Sequence, residues 1–161
     1  MKVLITGGMG VIGAETTRKF VKEGHKPVVF ARHRDDSLVG DILDKIDFEQ
    51  GDVLDMPRIL QAIKKHQVTH VVHAAAFVGA VSAGNPALSI QVNVMGLVNV
   101  LEAARALSVK RVVFTSAKGV YGPVTGEFGS PAGIPDDRAE RVRERAGIAR
   151  CDLERGAVRH R

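Results

Sequence analysis

Short apolar runs that alternate with segments of helical spacing constrain this chain more than any other feature. Val3-Leu4-Ile5, Pro27 to Ala31, Ile46-Asp47-Phe48, Thr69 to Ala74 and Lys110 to Thr115 read as strands. Between the first two, Val11 to Gly24 carries apolar residues at Val11, Ile12, Ala14, Phe20 and Val21, with Gly24 as a helix stop. A short helix capped by Ser37 is expected through Ile42-Leu43, and Pro57 suits the first turn of a helix carrying Ile59, Leu60 and Ile63. Asn85-Pro86 opens the longest helix, expected to bury Ile90, Val94, Leu97, Val98, Leu101 and Ala104. Strand, helix, strand in repetition implies right-handed crossovers and a parallel sheet covered by helices on both faces. Strands that are apolar throughout fit burial on both sides. The predicted class is α/β.

The chain has 161 residues, enough for one domain with a proper core and too few for two large ones. One cysteine, Cys151, excludes an internal disulfide and a zinc site of paired cysteines. His25, His66 and His70 show no ligand spacing, so no metal site is expected. The net charge of +5 is spread over the chain rather than gathered in a block, and six Phe with one Tyr are few for base stacking. Nucleic acid is therefore not an expected partner. No apolar run is expected to reach the roughly 20 residues of a membrane span, and the first residues show no cleavable signal. A soluble cytoplasmic protein is the expectation.

Thr6-Gly7-Gly8-Met9-Gly10-Val11-Ile12-Gly13 joins the first strand to the first helix. Gly7 can turn the chain sharply, Gly10 lets a pyrophosphate approach the backbone, and Gly13 lets helix and strand lie close. The first amides of the helix would then face the phosphates. A glycine triplet alone is weak, but this one sits at a strand-to-helix junction in a repeating α/β pattern. It predicts dinucleotide binding on a Rossmann-type doubly wound parallel sheet.

Several blocks resemble one family, the extended short-chain dehydrogenase/reductases of the NAD-dependent epimerase/dehydratase group. Thr6 to Gly13 looks like that family's TGGxGxIG loop, and Gly51-Asp52-Val53-Leu54-Asp55 like its adenine-contacting block, which implies Asp52 with Val53 beside it. Val72-His73-Ala74-Ala75-Ala76 resembles the block that lines the cofactor after the fourth strand. Asn93-Val94-Met95-Gly96 to Ala104 resembles its N-x-x-G helix, and Phe114-Thr115-Ser116-Ala117 to Val120-Tyr121-Gly122 its SSSxxVYG block. The resemblance runs from Met1 to about Gly129. It implies Gly7, Gly10, Val11, Ile12, Gly13, Asp52, Val53, Ala74, Ala75, Ala76 and Asn93 as cofactor-binding residues, with NAD or NADP as cofactor. It also implies oxidation and reduction at a hydroxyl carbon of a nucleotide-sugar or similar small molecule, and a possible homodimer through the long helix.

Two departures from the family pattern matter. Where many NAD-preferring relatives carry an acid at the end of the second strand, this chain has Ala31, followed by Arg32, His33 and Arg34. Cations there suit a 2′-phosphate and lean towards NADP, with Arg32 as the contact; the alternative is a solvated basic loop paired with Asp35 and Asp36. The second departure concerns the Tyr-x-x-x-Lys pair that performs proton transfer in the family, one helical turn placing both side chains on one face. Tyr121 is the only tyrosine and falls in the VYG block, and no lysine follows Lys118. Arg141-Val142-Arg143-Glu144-Arg145 stands where the pair is expected.

Residues 1–130 thus read as a NAD(P)-binding domain whose sheet is incomplete after the fifth strand, and 131–161 as an arginine-rich tail. Three readings of the tail stay open: a truncated or frame-altered family member, a short non-catalytic nucleotide-binding sensor or interaction module, and a partial chain completed by a partner subunit. Ser116 matches the serine that orients the family's tyrosine, or else is a turn former at a strand end. Asn93 matches a supporting asparagine, or is an amide in the helix–strand gap. His73 is more simply a satisfied structural histidine than a catalytic one. At family level the chain is an oxidoreductase or isomerase; with this sequence alone, little or no turnover is expected.

Overall fold

In the computed structural model, residues 1–116 are described, and Tyr121, Lys118, Cys151 and the 131–161 tail lie outside them. Five parallel strands form one sheet: β1 (Val3–Thr6), β2 (Val28–Ala31), β3 (Asp47–Gln50), β4 (His70–His73) and β5 (Arg111–Phe114). Their order is β3-β2-β1-β4-β5. The direction of winding reverses between β1 and β4, the switch point outside whose carboxyl ends ligands bind in such sheets. Register is fixed by pairs such as Ile5 with Val29 on one side and Ile5 with Val72 on the other.

β1 is buried at every residue, as an apolar strand flanked on both sides must be. One face packs Leu4, Val28, Phe30 and Val71 against Ile59, Ala62 and Ile63 of α2 (Met56–Lys65) and against the long helix. The other face packs Val29 with Met9 and Ala14, and with Val39, Ile42 and Ile46 of the β2–β3 connection. Helix α1 (Val11–Lys22) lies on this second face through Gly13, Ala14 and Thr17, residues small enough for close approach. Asp55 caps α2 by accepting from the Arg58 amide at 3.0 Å, with Pro57 in the first turn. The two layers of helices confirm the doubly wound α/β class.

The expected helix at Ile42-Leu43 is instead a pair of 3₁₀ turns, Asp36–Leu38 and Gly40–Lys45. Ser37 is not the cap; the Asp35 carboxylate takes that place by accepting from the Ser37 amide at 3.0 Å. Helix α3 (Gly79–Gly84) was not anticipated. It precedes α4 (Pro86–Ile90), which continues through a π-helical turn (Gln91–Met95) into α5 (Gly96–Ala106). Together the last three make one helix of 21 residues, Pro86–Ala106, long and apolar enough by length and composition to cross a membrane. That corrects the expectation that no run reaches this length, although Asn93 and Asn99 spend their side chains on bonds within the domain.

The buried side of this helix also differs from expectation. Val92, Gly96, Val100, Ala103 and Ala104 face the sheet, whereas Ile90 (63% exposed), Val94 (52%), Val98 and Leu101 face outward. The helix is apolar all round, so periodicity alone cannot select its face. Gly96 decides it: a Cβ there would lie 2.7 Å from a Val53 methyl, so the helix can seat only on a glycine at that contact.

Candidate dinucleotide site

At the carboxyl ends of β1, β2 and β4 opens a cleft of about 330 Å³. Its floor is where β1 and β4 part. Gly7 adopts φ +68°, and a Cβ on it would come within 2.7 Å of the Ala75 amide nitrogen, so only glycine fits. Gly10 is different: the nearest atom to a Cβ there is the Gly7 carbonyl oxygen at 3.4 Å, which leaves open room. At Gly13 a Cβ would overlap the Gly7 carbonyl, so this glycine lets α1 start against the loop. The Gly10 cap supplies no side-chain acceptor, and the first turn of α1 has no acid. Its leading amides are therefore available to an anion.

Segments that follow β1, β2, β3 and β4 build the wall of the cleft. Gly10, Ala31, Arg32, His33, Asp52, Val53, Ala74, Ala75 and Ala76 all line the cleft. Asp52 accepts from the Leu54 amide at 2.9 Å, and Asn99 donates to the Val53 carbonyl at 2.9 Å, so this turn is fixed from two sides. The basic segment after β2 divides residue by residue. Arg34 pairs with Asp36 at 2.8 Å on the surface, which is the solvated-loop alternative. Arg32 instead places its guanidinium 5.0 Å from the centre of the Phe77 ring at the cleft. Asp35 also lines the cleft, but its carboxylate caps the 3₁₀ turn, and hydrogen bonding from Ser37 holds its carboxyl below the usual range.

Asn93 does not line the cleft as a cofactor-binding residue would. Both ends of its amide are spent on Phe77, accepting from the backbone N–H at 2.7 Å and donating to the carbonyl at 2.9 Å. Val11, Ile12 and Gly13 form the start of α1 rather than the cleft wall, with the Val11 and Ile12 side chains exposed. Ser116 is exposed beyond the end of β5, also away from the lining. His73 is 4% exposed, with Nδ1 2.7 Å from the Thr6 hydroxyl, and burial pushes its imidazole down to about 4. It is a neutral structural histidine that ties the ends of β1 and β4 beneath the glycine loop.

The residues present suit the adenosine and pyrophosphate portions of a dinucleotide: free helix amides, an open Gly10, a carboxylate at Asp52 and a cation at Arg32. Met9, Phe30, Asp35, Gly51, Phe77 and Val92 complete the lining and were not singled out in the sequence. Met9 and Gly51 lie inside blocks quoted from the sequence, and Phe77 and Val92 adjoin such blocks; Phe30 and Asp35 had no comparable signal. Among the described residues, no cluster of His, Cys, Asp and Glu could hold a metal ion.

Comparisons with known proteins agree with this geometry. The model of the NAD dependent epimerase/dehydratase family matches residues 3–144, which passes beyond Gly129. Mouse UDP-glucose 4-epimerase is 34% identical over 152 residues, a match covering 86% of this chain and 42% of the mouse protein. The human UDP-glucose 4-epimerase is 32% identical with similar coverage. The structure of Thermus thermophilus UDP-glucose 4-epimerase in complex with NAD superimposes with a TM-score of 0.71 at 29% identity, covering 93% of this chain and 52% of that one. L-threonine dehydrogenase from Clostridium difficile gives 0.69 at 27% identity. The chain spans about half or less of the length of these relatives. With the glycine loop, the switch-point cleft and the family match over most of its length, the chain belongs to the NAD-dependent epimerase/dehydratase family.

Proposed function

We propose that this chain supplies the dinucleotide-binding part of an oxidoreductase of the epimerase/dehydratase type, acting at a hydroxyl carbon of a nucleotide-sugar or a similar compound. The observation that carries the reading is the cleft itself: an anion-ready helix start, an open Gly10 and the Asp52 turn meet at the sheet's switch point. A bound dinucleotide supplies the hydride acceptor and donor. The chain's own residues bind and orient it, with the α1 amides at the pyrophosphate, Asp52 and Val53 at adenine, and Ala74 to Ala76 along the wall.

The preferred cofactor in this reading is NADP. Support comes from Ala31 in place of an acid and from Arg32 at the cleft without a carboxylate partner among the described residues. Proton transfer at the substrate hydroxyl needs a group that the sequence does not provide in the family's form, since it lacks a Tyr-x-x-x-Lys pair. The 161-residue chain therefore binds cofactor and turns over substrate slowly or not at all. The outward strip of Ile90, Val94, Val98 and Leu101 supports a second copy of the chain as partner.

Titration of the purified chain with NADPH and NADH, followed by nucleotide fluorescence, tests this reading. Saturable binding with no interconversion of UDP-glucose and UDP-galactose is expected. Absence of binding to both nucleotides overturns it.

A further inference from the structure

We propose that Phe77 is a positioning residue that determines cofactor specificity, by holding the Arg32 guanidinium over the cleft where a 2′-phosphate would meet it. The proposal rests on the reading of Arg32 as the 2′-phosphate partner and adds to it the means by which that arginine is held.

Arg32 is fixed at both ends. Its carbonyl accepts from the Gln50 side chain at 3.0 Å, and the Gln50 carbonyl in turn accepts from Arg58 Nε at 2.8 Å. Its guanidinium lies 5.0 Å from the Phe77 ring centre. An aromatic face attracts a cation without taking up a hydrogen bond, so the N–H donors of Arg32 remain available. The other arginines that pair behave differently. Arg18 binds Asp41, Arg34 binds Asp36, Arg58 binds Glu49, and Arg105 binds Glu102. Arg32 lines the cleft and has no such acceptor among the described residues.

The platform is itself rigid. Phe77 packs against the core beneath α2 and the long helix, and both its backbone groups are held by Asn93. A long arginine side chain that must be ordered on binding loses rotamer freedom, and one already held loses less. Phe77 and Arg32 follow different strands, β4 and β2, so their contact spans the cleft rather than forming within one loop.

The test is a set of NADPH and NADH dissociation constants for the full chain and its variants. The parent chain is expected to favour NADPH, and Arg32→Ala to bring the two constants together. Phe77→Leu should lower the ratio of NADPH to NADH affinity about threefold or more. Phe77→Tyr, which keeps the ring, should keep the parent ratio. In the Arg32→Ala background, Phe77→Leu should leave the ratio unchanged. If Phe77→Leu does not fold, Phe77→Met takes its place with the same expectation. A ratio that survives loss of the ring but collapses in Arg32→Ala overturns the role of Phe77 and leaves the Arg32 reading standing. A parent chain with no preference for NADPH, or a ratio that survives Arg32→Ala, overturns both.

Discussion

Asn93 grips the backbone of Phe77 from both sides, its side-chain oxygen taking the Phe77 N–H at 2.7 Å and its side-chain nitrogen giving to the Phe77 carbonyl at 2.9 Å. A strand-like pairing is thereby made by one amide side chain. It ties the long helix to the segment that follows β4, and so sets the wall of the cleft opposite β2. Asn93 thus bears on the cleft through Phe77, which lines it.

Asn93→Ala leaves two partly buried backbone groups without partners, which costs about 2 kcal/mol or more. Urea unfolding should report that loss, and dinucleotide affinity should fall with it. Asn93→Asp keeps the acceptor and removes the donor, so it should fall between the parent and the alanine variant. Equal stability of all three proteins would show that the pairing carries no weight.

The two glycines with different surroundings should separate fold from binding. Gly13→Ala puts a methyl group into the Gly7 carbonyl and should destabilise the domain by about 3 kcal/mol or more. Gly10→Ala meets only the Gly7 oxygen at 3.4 Å, so the domain should stay folded. Its methyl group would occupy the approach of the pyrophosphate and should weaken dinucleotide binding at least about tenfold. Denaturant midpoints and nucleotide titrations together check both outcomes.

His73 gives the domain an acid-sensitive step. Its folded pKa of about 4 lies below the ordinary histidine value of 6.5, so the unfolded chain binds more protons between those limits. Stability should be full above pH about 6.5 and fall by about 3 kcal/mol as the pH drops towards 4. His73→Asn, which keeps an acceptor near Thr6, should flatten the slope of unfolding free energy over that window. An unchanged slope would contradict the assignment.

A second acid step belongs to Glu49, which is 3% exposed and bonded to Arg58, Lys65 and His66 at 2.6, 2.5 and 2.7 Å. Burial alone would raise its carboxyl; hydrogen bonds from Lys65 and His66 and the charges of Lys65 and Arg58 outweigh it and bring the value down to about 2. Its contribution is present above about pH 4.5 and lost as the pH falls through 2. Glu49→Gln leaves three cationic or hydrogen-bonding side chains around a neutral amide. It should cost about 3 kcal/mol at pH 7 by urea unfolding, and also loosen the Arg58–Gln50–Arg32 chain.

The strands and their two-sided burial were legible because Val3 to Ile5, Val28 to Phe30 and Val71 are apolar without alternation. The glycine loop was legible from its spacing at a strand-to-helix junction; in the structure Gly7 and Gly13 meet a steric demand there and Gly10 leaves room. The long helix misled because Ile90, Val94 and Val98 are as apolar as Val92 and Val100, and the π-helical turn shifts the phase between its two ends. The Ser37 cap failed for a nearby reason: Asp35, two positions earlier, starts the turn by accepting from the Ser37 amide with a charged oxygen, so Ser37 falls inside the turn rather than at its start.

Which arginine would reach the cleft was not legible. Arg32 and Arg34 differ only in what surrounds them, and that depends on the 3₁₀ turn that brings Asp36 to Arg34. Phe77 adjoins a block quoted from the sequence, but nothing local marked its contacts, since its partners Arg32 and Asn93 come from other elements and meet it only when the sheet forms.

In the proposed function the cleft above β1 and β4 holds a dinucleotide. A thermal unfolding scan of the chain with and without NADPH and NADH at millimolar concentration checks this. Ligand at about a hundred times its dissociation constant adds about 2.7 kcal/mol, enough to raise the transition by about 5 °C or more in a domain of this size. A single cooperative transition raised by that amount, further by NADPH than by NADH, is expected. A cooperative transition that neither nucleotide moves would contradict it.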